Sequence, residues 1–187
     1  RKITIIDGHT AFTGGINLAD EYINEVKKHG YWKDTAIMIK GEAVWNMTVM
    51  FLSMWDYLRG IDEDFDKFRY KFKEEKFCDG YFQPFTDSPY DEETVGETVY
   101  LNLLNKARRY VYITTPYLVI DYKMMQALAS AAKSGIDVRI ITPHIEDKWY
   151  VHAVTRSNYR FLVESGVKIY EYTPGFIHSK TFVSDDE

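Results

Sequence analysis

Cysteine is almost missing from this chain: Cys78 is the only one. No internal disulfide is possible, which fits a reducing compartment, and stability has to come from a packed core. Long apolar runs are missing as well, since no stretch of about 20 apolar residues occurs; nothing in the sequence reads as a membrane-spanning helix. A basic excess is missing too. The balance of 23 Lys+Arg against 28 Asp+Glu leaves a net charge of −5 and a pI of about 5.6. Nucleic-acid surfaces usually carry the opposite sign, so no nucleic-acid partner is expected. His9, His29, His144 and His152 show none of the spacings that hold a metal ion. Neither a metal nor a cofactor is expected, and His144 and His152 read as structural or surface residues. No signal peptide is visible, and both ends fall inside motifs, so the chain reads as a fragment of a larger protein.

What is present is enough to fold. The 187 residues are 45% hydrophobic, which supplies one sizeable core or two small ones and argues against global disorder. The second half alternates regularly: helix over 92–109, strand over 110–115, helix over 122–133, strand over 137–142, helix over 148–164, strand over 167–172. Helices alternating with short apolar strands imply α/β layers with a largely parallel sheet and right-handed crossovers. Such sheets gather ligands at strand C-terminal ends, here Thr115-Pro116-Tyr117 and Thr142-Pro143-His144. Tyr117 either lines a cleft there or caps its strand. Earlier in the chain a strand is expected over 2–7 and another over 34–40, with a short polar helix over 20–29 closed by Gly30. Residues 42–59 read as a helix that is apolar on nearly every face. Burial as a core helix is the favoured reading; contact of its Trp and Met residues with a bilayer surface is the other. Residues 61–79, dense in both charges, read as a linker, and 83–89 as a loop shaped by Pro84 and Pro89.

The most informative residues lie near the two ends. His178, Lys180 and Asp185 follow one another in a stretch whose residues 177–183 read as a strand. Alternation along a strand would send His178 and Lys180 to one face. Asp185 is left to act from the strand end, from the following turn or at a neighbouring site. The Lys-x4-Asp spacing recurs as Lys2 and Asp7, and two matched copies indicate a duplicated unit. The position two residues before Lys2, where the second copy has His178, precedes Arg1.

These residues resemble the phospholipase D superfamily, marked by two His-x-Lys-x4-Asp motifs. Gly14 and Gly15 read as turn glycines, and Gly14-Gly15-Ile16-Asn17 resembles the Gly-Gly/Ser-x-Asn extension of the first motif. The stretches Phe12-Thr13-Gly14-Gly15-Ile16-Asn17-Leu18-Ala19-Asp20-Glu21-Tyr22, Tyr31-Trp32-Lys33-Asp34-Thr35, Tyr112-Ile113-Thr114-Thr115-Pro116-Tyr117 and Tyr170-Glu171-Tyr172-Thr173-Pro174-Gly175-Phe176 are similar to bacterial cardiolipin synthases. The resemblance implies a layered α/β fold of two pseudo-repeated halves: residues 1–60 ending the first, 61–79 linking them, and 80–187 opening the second. It implies a phosphatidyltransferase that condenses two phosphatidylglycerols to cardiolipin and glycerol, located at the cell membrane on its cytoplasmic face, with anionic phospholipid and the membrane surface as partners. It also implies that His178, Lys180, Asp185, Lys2 and Asp7 are catalytic, and that Gly14, Gly15, Asn17 and Tyr117 contact substrate. One motif histidine would form a phosphohistidine; the nucleophile usually comes from the first motif, which makes His178 the acid/base. The chain alone is then expected to be inactive. A phospholipase D-type phosphodiesterase, a nuclease and a catalytically dead lipid-binding module are the other readings. The chemistry itself asks for a nucleophile, an acid and positive charge on the equatorial oxygens, which histidine, lysine and aspartate supply without a metal.

Overall fold

The computed structural model describes residues 2–73, 80–88 and 92–186. Cys78, most of the charge run at 73–76, and Pro89 lie outside the described residues. The chain forms two compact units. One contains residues 1–14 and 36–93; the other contains residues 15–35 and 94–187.

The first unit is a three-stranded antiparallel sheet with one helix against it. β1 (Ile3–Ile6) pairs with β2 (Thr10–Gly14), and β2 with the later strand Ala36–Lys40. β1 buries alternate residues, so Ile3 and Ile5 turn inward against a core of Ala11, Ile39, Val44 and Met47. Helix α1 (Ala43–Arg59) covers one face of this sheet. Its buried residues are Val44, Met47, Thr48, Leu52 and Asp56, a single stripe at helical spacing. The other face leaves Phe51, Met54, Trp55, Tyr57 and Leu58 exposed. Burial on nearly every side, expected from the sequence, is therefore not what is seen: a three-stranded sheet shields only one side of a cylinder. The described part of the charge-rich stretch packs on this unit by its aromatics. His9 lies edge-on to Tyr70 and stacks near Phe72, and the Arg69 guanidinium sits 5.1 Å from the Trp45 ring centroid.

The second unit holds two sheets. Counting in chain order, β3 is Tyr31–Lys33 and β4 is the strand Ala36–Lys40 of the first unit. The larger sheet is formed by β5 (Tyr110–Thr114), β6 (Asp137–Pro143), β7 (Lys168–Tyr172) and β9 (Thr181–Ser184), in the order β7-β6-β5-β9. The first three run parallel and β9 runs antiparallel to β5. The smaller sheet pairs β3 in parallel with β8 (Gly175–Ile177). Helix α2 (Val95–Lys106) leads into β5, α3 (Tyr122–Lys133) crosses from β5 to β6, and α4 (Trp149–Ser157) with α5 (Tyr159–Glu164) crosses from β6 to β7. Val111, Leu118, Leu128, Val138, Ile140, Leu162 and Val167 form the core between helices and sheet. Each such buried aliphatic contributes about 1.5–3 kcal/mol. The α/β class with parallel and mixed sheets is as expected.

Four local expectations are corrected. Residues 20–29 form only a single 3-10 turn, Asp20–Ile23, because Asn24 adopts a left-handed backbone and ends it. The helix over 148–164 is two helices broken at Asn158, whose side-chain amide donates to the Leu118 carbonyl at 2.9 Å. Gly14 is the last residue of β2, paired with Ala36, rather than part of a turn. The strand expected over 177–183 is split, because Ile177 ends β8 in the smaller sheet while Thr181 begins β9 in the larger one.

Candidate active site

The site forms in the gap between β8 and β9. Parallel pairing sets Lys33 opposite Ile177, and the His178 N–H donates to the Lys33 carbonyl at 2.7 Å. The next residues along, Asp34 and His178, are therefore side by side. The Asp34 Oδ2 accepts from His178 Nδ1 at 2.8 Å, with the two side chains only 3% and 10% exposed. Two glycines permit this arrangement. A Cβ on Gly175 would lie 2.2 Å from the Tyr31 carbonyl oxygen, and one on Gly15 would lie 2.0 Å from Asp34 Oδ1. Side chains there would part the strands or evict the carboxylate. Asp34 Oδ1 accepts the Thr35 N–H at 2.8 Å, so both oxygens of this buried group are satisfied.

Lys180 completes the line. Its Nζ lies 2.9 Å from His178 Nε2 and donates to the His178 carbonyl at 2.5 Å. An ammonium can only donate, so Nε2 accepts and Nδ1 carries the proton given to Asp34. The imidazole is thereby held in one tautomer, with its Nε2 lone pair turned toward a cation. That is the arrangement in which a carboxylate orients a histidine and stabilises its protonated form. An anion placed beside Nε2 and Nζ gains the lysine's charge and can take a proton from the ring or leave one there.

Aromatic rings wall the imidazole. Tyr22 meets it edge-on at 5.5 Å, and Trp32 lies at 5.2 Å and Phe176 at 6.1 Å between centroids. Asn17 donates its side-chain amide to the Tyr22 hydroxyl. Asn24 exchanges hydrogen bonds with the main chain of Trp32, accepting at 2.7 Å and donating at 3.1 Å, which steadies β3.

The expected site residues divide between the units. His178, Lys180, Gly15, Asn17, Tyr117 and Asp185 are in the second, while Lys2, Asp7 and Gly14 are in the first. Lys2 and Asp7 are exposed, and the Lys2 carbonyl accepts from the Thr13 hydroxyl. Asp185 sits in the turn after β9. Its carboxylate accepts the backbone N–H groups of Arg108, Arg109 and Tyr110 at 2.6, 2.9 and 2.9 Å. Those donors, the Tyr110 N–H first, hold its pKa below the ordinary carboxylate value. Tyr117 donates its hydroxyl to Asp147 at 2.5 Å. Burial first, and then Asp147, push its pKa well up, so the phenol stays protonated. Asp34 and Tyr22 are the functional side chains that sequence reasoning did not assign. The signal for Asp34 was at hand: a carboxylate directly after a three-residue apolar-and-lysine strand, in a stretch already similar to cardiolipin synthases. Among the described residues no group of three or more His, Cys, Asp or Glu could hold a metal ion. No helix among them is long and apolar enough to cross a membrane.

Residues 100–187 match the family model described as "Cardiolipin synthase, PLD-like domain". This segment is similar to a phospholipase D-like domain of the cardiolipin synthase kind. The whole chain aligns with a cardiolipin synthase of Geobacillus kaustophilus at 39% identity, covering 100% of this chain and 37% of that protein. It aligns at 51% identity with an uncharacterized protein of Streptococcus mutans, covering 100% of this chain and 40% of that protein. The chain thus spans about two fifths of the length of these relatives. A phosphatidylserine synthase from Haemophilus influenzae superimposes with a TM-score of 0.57 at 15% identity, over 96% of this chain and 50% of that one, a likeness of fold. The matched residues include His178, Lys180 and Asp185, and the Asp34 carboxylate bonded to His178 comes from outside them.

Proposed function

We propose that this chain serves a phosphatidyltransferase that joins two phosphatidylglycerols into cardiolipin and releases glycerol. The line Asp34–His178–Lys180, buried at its carboxylate and imidazole and exposed at its lysine, carries the reading. It has the parts that phosphoryl chemistry needs without a metal: a proton carrier in a fixed tautomer and a cation for the phosphate oxygens. In the first step the imidazole of the other motif attacks phosphorus, the P–O bond to glycerol breaks, and His178, in the doubly protonated form that Asp34 stabilises, gives the departing oxygen its Nε2 proton. In the second step His178 takes the proton from a hydroxyl of the second phosphatidylglycerol. That oxygen attacks phosphorus and the phosphohistidine bond breaks. Lys2 and Asp7 belong to the other motif in this scheme, and Asn17, Gly14, Gly15 and Tyr117 shape the substrate site. Lys180 neutralises the phosphate in both steps. The enzyme works at the cytoplasmic face of the cell membrane on anionic phospholipid.

The test supplies the intact protein with phosphatidylglycerol and separates the products. Cardiolipin with free glycerol is expected; phosphatidic acid instead would make the enzyme a hydrolase of the same superfamily, and no product would leave a lipid-binding module. The 187-residue chain by itself is expected to give no product in the same assay.

A further inference from the structure

Beside Lys180 lies an apolar cavity of about 190 Å³, walled by Ile113, Ile120, Met124, Leu128 and Phe182. We infer that this cavity receives the first carbons of one acyl chain of the phospholipid whose phosphate is held at His178 and Lys180, an inference that rests on the function proposed above. Four observations converge on that occupant.

Lys180 lines the cavity and also stands 2.9 Å from His178 Nε2, so cavity and reacting centre are continuous through one side chain. Among the described residues, Lys180 is the one charged residue in the lining. Two of the lining hydroxyls are already used, that of Thr115 donating to the Tyr117 carbonyl and that of Tyr117 to Asp147, while Thr114, Thr181 and Tyr100 also line the cavity. What Tyr117 offers the cavity is therefore its ring. A departing glycerol or a sugar headgroup would leave hydroxyls unpaired against Ile113, Met124 and Leu128, at a cost that an acyl chain does not incur. The size fits a chain segment. An apolar cavity of about 150 Å³ holds a benzene ring, so this one takes roughly six to eight carbons.

The headgroup end and the acyl end of the substrate are thus sorted by chemistry. The phosphate meets the cation, the apolar arm meets the helix α3 side of the sheet, and the departing alcohol is kept out of the cavity. Tyr100, 45% exposed and 5.2 Å from the Phe182 ring, flanks the cavity from helix α2.

The experiment titrates the intact protein, carrying His178→Ala so that substrate is not consumed, with monomeric dibutanoyl, dihexanoyl and dioctanoyl phosphatidylglycerol. Affinity is expected to rise about fourfold for each methylene of the chain that enters, until the cavity is full. Met124→Trp fills the cavity and is expected to flatten that slope; Ile120→Trp does so from the segment preceding α3. Tyr100→Ala, which opens one flank, is expected to keep the slope and extend it to longer chains. A thermal melt of each variant separates a filled cavity from an unfolded protein. A flat slope in the His178→Ala protein, or an unchanged slope in both folded Trp variants, would overturn the inference. The two readings fail separately. Cardiolipin formed by the protein with native His178, together with a flat slope, removes the acyl cavity and keeps the transferase. A steep slope that the Trp variants abolish, with no product from that protein, keeps the cavity and removes the transferase.

Discussion

The two Lys-x4-Asp stretches trace nearly the same backbone. Each runs as a four-residue strand, β1 or β9, paired antiparallel to a neighbour. Each then reaches an aspartate in the left-handed region, Asp7 at φ 53° and Asp185 at φ 52°, followed by a second positive φ at Gly8 and Asp186. Their surroundings differ. Asp185 binds three backbone N–H groups at the turn between α2 and β5, whereas Asp7 follows a strand of a small hairpin and is exposed. The spacing therefore encodes a shape, a strand ending in a left-handed turn. Reactivity is added from upstream: at the second copy, β8 presents His178 and residues 15–35 bring the carboxylate that orients it. A motif aspartate can thus serve the frame of a site while another aspartate, 144 residues from the histidine in sequence, serves its imidazole.

The largest effect that bears on this contrast is the loss of the imidazole. His178→Ala in the intact protein is expected to lower cardiolipin formation by about 10³–10⁴-fold. If the variant keeps more than a tenth of the activity, the C-terminal copy is not the built site. Asp34→Asn comes next, with an expected fall of about 10²–10³-fold, since an amide can hold the wrong tautomer. Asp34 is a positioning residue, so the pH–rate profile should change with it; an unchanged profile would reduce Asp34 to packing. Gly15→Ala pushes a Cβ into the same carboxylate. A displacement of about 1 Å can cost up to about 10²-fold, and the loss should fall below that of Asp34→Asn. Measuring the double variant sharpens the point, because two routes to one displaced group should not add.

The smallest effect compares the two turns directly. Asp185→Asn is expected to lower the melting temperature at neutral pH, and Asp7→Asn to lower it less. The folded pKa of Asp185 is depressed, so its stabilisation is present above the ordinary value near 4 and is lost as the pH falls through the lower folded value. The gap between wild type and Asp185→Asn should accordingly hold from neutral pH down to about 4 and close below it. Equal losses from the two substitutions would show that the turns are alike in their surroundings as well as in their backbone.

Much of the second unit was legible. The amphipathic run at 122–133 gave α3 its bounds, and the apolar stretches before Thr115 and Pro143 became β5 and β6. His178 and Lys180 were legible as a pair, yet for the wrong reason: they meet in a gap between strands, where the lysine folds back onto the ring, and not by alternation along one strand. β2 and β3 were missed because they are held by partners, β2 between two strands and β3 by Asn24 and β8. Local propensity carries no record of a partner that is 144 positions away. The exposed side of α1 was misread for a related reason, since an apolar residue reports a preference for cover and not the area of sheet available to provide it.

Residues 15–35 pack with the later residues 94–187, although residues 36–93 separate them in the chain. During synthesis Asp34 leaves the ribosome well before His178, which lies 144 positions later. The imidazole acquires its orienting group only when β8 docks beside the earlier strand β3. A nascent chain arrested between β3 and β8 would carry the carboxylate without the imidazole that it orients.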